Sequence, residues 1–124
     1  MRDFHLFTAK EVFAKDCLDS LQKEIKNVKL NGETDIWIDG KSRSFIWFDN
    51  ARLEDFFVDD LDEFCKKIPI KEPYANHVES HRSIDVKRIL TVLMKAYPEL
   101  YVYADDNTQF FGTAQEYIDT EFDY

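Results

Sequence analysis

The sequence predicts an α+β domain: a mostly antiparallel sheet built from two hairpins, with about four helices packed on it. Two observations carry that prediction. Two stretches of β-branched and aromatic residues, around 34–50 and 101–111, each straddle a polar turn and read as hairpins. Between and around them, apolar residues recur every three or four positions, the period of a helix buried on one face. Strands that arrive as hairpins separated by helices favour an antiparallel sheet with helices laid on it. The chain of 124 residues suits a single domain spanning 1–124 and needs no disulfide staple to hold its core.

The first helix is expected over 9–27. Thr8 and Glu11 have the spacing of a capping box, Phe7 and Val12 that of a hydrophobic staple, and Phe13, Cys17, Leu21 and Ile25 form the apolar stripe. "NGE" at 31–33 ends the pattern. In the hairpin "TDIWIDGKSRSFIWFDN", a two-residue Asp39-Gly40 turn sets Ile36 opposite Arg43 and wastes the apolar face. A three-residue loop places Ile36 and Ile38 with Ser42, Ser44, Ile46 and Phe48, leaving Trp37, Phe45 and Trp47 together on the other face. Both faces are then apolar, so either helices cover both or one aromatic face is open to a partner.

The stretch "FFVDDLDEFC" belongs to a second helix over 51–67, capped by Asp49 or Asn50. Leu53, Phe57, Leu61, Phe64 and Ile68 line one side of it. Asp55, Asp59 and Asp62 fall opposite, with Glu63 beside them. Residues 69–82 hold two of the three prolines and read as a connecting loop. Ser83 is expected to cap a third helix that buries Val86, Ile89, Leu90, Leu93 and Tyr97 and ends at Pro98. A second hairpin, "YVYADDNTQFF", turns around Asp105–Asn107. Thr113 and Glu116 repeat the capping-box spacing and open a last helix through Phe122.

Charge narrows the function classes. Asp and Glu number 25 against 16 Lys and Arg, a formal charge of −9. That field repels nucleic-acid phosphates and anionic lipid and speeds encounter with a basic protein. No apolar run is long enough to cross a membrane or to act as a signal peptide, which points to the cytoplasm. Cys17 and Cys65 sit on apolar stripes and read as reduced, buried side chains rather than nucleophiles.

Catalytic patterns are weak. The carboxylates of Asp55, Asp59 and Asp62 lack the basic surround that a phosphate-cleaving metal site needs. "HVESH" places His77 and His81 four apart, but Glu79 is misplaced for H-E-x-x-H and the segment reads as loop. The three glycines stand apart, so no phosphate loop exists. The reading is therefore of a protein that is not an enzyme and needs no cofactor or metal. Its candidate partner-binding residues are Asp55, Asp59, Asp62 and Glu63, the anchors Trp37, Trp47 and Tyr103, and the turn acids Asp105 and Asp106; Tyr101, Tyr117 and Tyr124 are further aromatic candidates.

The final third, "VKRILTVLMKAYPELYVYADDNTQFFGTAQEYI", resembles the helix, hairpin and capped helix that end many small acidic immunity proteins of bacterial polymorphic and contact-dependent toxin systems. The resemblance is one of texture and carries over no residue by position. It implies a cytoplasmic antidote that binds and occludes a basic toxin domain, often a nuclease. Two other readings are a phage-type acidic mimic of DNA and a small metal-dependent hydrolase built on the helix aspartates or on His77 and His81. The 16 interspersed basic residues weaken the mimic.

Overall fold

The structure, a computed structural model, describes residues 2–39, 43–52, 69–104 and 110–120. Seven strands form one sheet: β1 (Arg2–Thr8), β2 (Val28–Asn31), β3 (Asp35–Ile38), β4 (Ser44–Arg52), β5 (Tyr74–Ser80), β6 (Tyr101–Ala104) and β7 (Phe110–Thr113). Their order is β2-β3-β4-β5-β1-β6-β7, and every neighbouring pair is antiparallel. Among the described residues there are three helices, α1 (Ala14–Glu24), α2 (Ser83–Ala96) and α3 (Ala114–Asp119). The class is α+β as expected, with a larger sheet than two hairpins supply.

One face of the sheet carries the main core. Phe4 and Leu6 of β1, Ile36 and Ile38 of β3, Ile46 and Phe48 of β4, Val78 of β5 and Val102 of β6 are buried there. Against them pack Cys17 and Leu21 of α1, Val86, Ile89, Leu90 and Leu93 of α2, and Tyr117 of α3. Each fully buried Leu, Ile or Phe contributes about 1.5–3 kcal/mol, so this layer dominates the stability.

The first helix starts later than its capping-box spacing suggests. Thr8 closes β1, and its hydroxyl donates to the Lys10 carbonyl at 2.6 Å instead of capping a helix. Phe13 is the actual N-cap and makes no side-chain cap. Phe7 and Val12 belong to separate apolar clusters, so they form no staple. The reason is topological: the chain has to leave the middle of the sheet before it can coil. Past α1, Asn27 turns through φ 61°, and Val28–Asn31 then pairs with β3 as an edge strand.

The first hairpin, β3–β4, sorts its side chains as the alternation predicts. Ile36 faces Ile46, Ile38 faces Ser44, and Trp37 faces Phe45 on the other side. Its loop is longer than three residues, because pairing resumes only at Ser44. Asp49 and Asn50 do not cap a helix at 51, since β4 continues through Arg52. The rest of that expected helix, 53–67, lies outside the described residues. So do Cys65, the 105–109 turn and residues 121–124.

Residues 69–82 are not merely a loop. They contain β5, which pairs with both β1 and β4. Its core-facing positions mix Val78 with Asn76 and Ser80, whose polarity hides the strand. The polar atoms are matched. The Ser80 and Ser44 hydroxyls are 2.7 Å apart, Ser44 donates to Asp85 Oδ2 at 3.2 Å, and Arg43 Nε lies 2.8 Å from the same oxygen. Asp85 is 1% exposed and sits in the first turn of α2, where the helix dipole favours its charge. Ser83 is the first helical residue rather than the cap. Thr113 and Glu116 do form the predicted capping box: Glu116 N–H donates to Thr113 Oγ1 at 3.1 Å, and Thr113 N–H to Glu116 Oε1 at 3.0 Å.

Candidate functional site

The second face of the sheet is where the unusual chemistry lies. Side chains alternate across a strand, so the positions between the core residues all point there. Antiparallel register aligns them into a row that crosses six strands: Asp35, Trp47, His77, His5, Tyr103 and Phe111. A neighbouring row runs from Lys29 through Trp37 and Phe45 to Glu79, and a third from Ala51 through Ala75 and Phe7 to Tyr101. Phe7, Ala75, Ala51, Tyr101, Tyr103 and Phe111 form an apolar cluster separate from the main core. The Tyr103 and Phe111 rings lie 6.4 Å apart and the Tyr101 and Phe111 rings 6.5 Å apart.

A cleft of about 490 Å³ opens on this face, within the range of small-ligand and side-chain pockets. Its walls include Phe45, Trp47 and Asp49 of β4, His5 of β1, and Ala75, Asn76, His77 and Glu79 of β5. The cleft lies where the β4–β5 ladder breaks. Pairing holds up to Trp47 and His77, then resumes only at Ala51 and Ala75, so β4 carries surplus residues. Asn50, within that surplus, has φ 51°. Asparagine tolerates this left-handed conformation better than most residues.

Side-chain amides hold the irregular stretch. Asn50 N–H donates to Asn76 Oδ1 at 2.7 Å. The Asn50 amide also bonds Val12 at both ends, accepting its N–H at 2.9 Å and donating to its carbonyl at 3.0 Å. One residue thus shapes the cleft wall and ties the segment entering α1 to the sheet.

The polar groups of the cleft are imidazoles and carboxylates. His77 Nε2 is 3.2 Å from Glu79 Oε1, and the His5 and His77 rings are 5.0 Å apart. Burial, and secondly the neighbouring His77, push His5 down to about 4, so it is neutral at pH 7. Among the described residues, no Lys or Arg lines the cleft. The cleft is therefore aromatic at its walls and electronegative at its rim.

Of the residues singled out in the sequence, Trp37, Trp47 and Tyr103 share this face, and Trp47 is 43% exposed. Asp55, Asp59, Asp62, Glu63, Asp105 and Asp106 lie outside the described residues. Tyr117 is no surface anchor, being 1% exposed in the main core. Sequence reasoning missed His5 and Asp49 as site residues, and weighed His77 and Glu79 only as part of a metal pattern in a loop. The signal was the period of two in "DFHLFT" and "YANHVES", masked by their mixed polarity.

The hydrolase reading loses its geometry on the histidines. His77 lies within β5 and His81 just past it, so the one-turn spacing that unites i and i+4 on a helix is absent; along an extended chain they are about 13 Å apart. Among the described residues, no group of three or more His, Cys, Asp or Glu is placed to share a metal ion. Cys17 is buried, and that burial, with Asp16 nearby, pushes its thiol up to about 11. It is protonated at neutral pH and unsuited to attack. Among the described residues, no helix is long and apolar enough to cross a membrane. No protein-family model, curated protein or solved structure matches the chain.

Proposed function

We propose that this chain is a protein-binding inhibitor, an immunity protein that occludes a basic toxin domain with the second face of its sheet. The observation that carries the reading is the cleft at the β4 irregularity, with aromatic walls, Asp49 and Glu79 among its lining and no lysine or arginine among its described residues. Interfaces draw their affinity from a few large aromatic anchors, and Trp47 is an indole left 43% exposed beside that cleft. The overall charge of −9 supplies long-range attraction to a cationic surface, which raises the association rate more than the final affinity. The resemblance of the last third to immunity proteins supports the same reading.

The experiment is to look for a toxin domain encoded beside this chain's gene and to express it with and without the chain. Rescue of growth, together with a stoichiometric complex on size exclusion, is the expected result. Growth arrest that the chain does not relieve sinks the proposal.

A further inference from the structure

We infer that the cleft between β4 and β5 receives a guanidinium group, an arginine side chain offered by the basic partner; this inference rests on the reading above and names the chemistry of its contact.

Three features select that ligand. The walls provide an exposed aromatic face, Trp47, on which a delocalised cation stacks. The lining provides carboxylates, Asp49 and Glu79, without a competing Lys or Arg among the described residues. His77 Nε2 meets one Glu79 oxygen at 3.2 Å, and a carboxylate has about four lone-pair sites, so Glu79 retains acceptor capacity. A guanidinium is planar, weakly hydrated and forked, so it can lie on a ring while donating to a carboxylate at its edge. An ammonium is compact and strongly hydrated and gains less from such a slot.

The same two strands already hold one guanidinium in this arrangement. Arg52 of β4 lies 4.3 Å above the ring of Tyr74 of β5, and its Nη2 is 3.4 Å from Glu72 Oε2. The cleft offers another ring, Trp47, and two carboxylates farther along the same ladder, with no Lys or Arg among the described residues of its lining. The displaced backbone around Asn50 gives the slot its depth, and the 2%-exposed Asn76 side chain holds that backbone in place.

The test titrates Nα-acetyl-L-arginine methylamide into the isotope-labelled protein and follows the Trp47 indole N–H and the Glu79 amide by NMR. The matching lysine and norleucine derivatives run alongside. Saturable shifts with the arginine probe are expected, weaker ones with lysine and none with norleucine. Glu79→Gln, a change at a partly exposed side chain that leaves the fold intact, should weaken the arginine response roughly tenfold by removing a charge-assisted hydrogen bond. No saturable shift with arginine, an equal response to norleucine, or an undiminished response in Glu79→Gln overturns the inference.

A parallel measurement separates it from the functional reading. If Glu79→Gln binds the toxin domain as tightly as the wild type does, the guanidinium slot is refuted while the immunity role stands. If the wild type takes the arginine probe but forms no complex with the toxin domain, the slot stands and the immunity role falls.

Discussion

His5 gives the sharpest prediction about stability. It lies in β1, an interior strand of the sheet, beside His77, and is held neutral down to about pH 4 against an ordinary value of 6.5. As pH falls below 6.5 the unfolded chain takes up a proton at this residue and the folded chain does not. Folding stability therefore drops by about 1.4 kcal/mol per pH unit across that window, and the loss levels off near pH 4. The gap from 6.5 to about 4 corresponds to about 3 kcal/mol, a large share of a small domain's stability. Carboxylates titrate in the lower part of the same range, so the comparison is with His5→Phe, which keeps a ring in the aromatic row but removes the titrating group. Urea unfolding at several values between pH 7.5 and 4 should show the wild type losing about 3 kcal/mol more than the variant. Parallel curves would refute the argument, as would a His5 imidazole that titrates by NMR near 6.5.

Three further substitutions probe the devices that hold the site and the fold. Asn50→Ala removes both bonds to Val12 and forces alanine into φ 51°, so chemical denaturation should show a loss of about 2–4 kcal/mol; Asn50→Gly, free of the backbone strain, should recover about 1 kcal/mol of it. Asp85→Ala strips the buried partner of Ser44 and Arg43 and should cost about 2–4 kcal/mol, while exposed Asp19→Ala, used as a control, changes little. Thr113→Ala breaks the capping box, which should cost about 1 kcal/mol. It should also let the Glu116 carboxyl rise part of the way toward its ordinary value, because the Thr113 side-chain bond is lost while the larger cause of the depression, the bond from the Thr113 backbone N–H, remains; NMR titration of Glu116 reads that directly.

The parts of this fold legible in the sequence are those whose cause is local. The apolar stripe of α2 and the two-faced alternation of β3–β4 depend on neighbours a few residues away, and Trp37 and Trp47 fell on their common face for that reason. The capping-box spacing occurs twice with different outcomes. Thr113 directly follows β7 and precedes a helix, whereas Thr8 ends a strand in the middle of the sheet, and its hydroxyl turns back to Lys10. β5 was illegible because its buried face carries Asn76 and Ser80. Their partners Asn50 and Ser44 are 26 and 36 residues distant, so nothing nearby shows that their polarity is satisfied. With β5 unseen, His77, Glu79 and the cleft had no element to stand on. β1 was hidden similarly, by a helix-start pattern that overlaps its end.

The central claim is that the aromatic face of the sheet, and not the helical layer, meets the partner. Trp47 and Ile84 are equally exposed, each 43%, one beside the cleft and the other in the first turn of α2. Affinities of Trp47→Ala and Ile84→Ala for the toxin domain therefore compare the two surfaces directly. The account predicts a loss of roughly tenfold or more for Trp47→Ala and almost none for Ile84→Ala. The opposite ranking, with each variant folded as judged by its thermal transition, would contradict it.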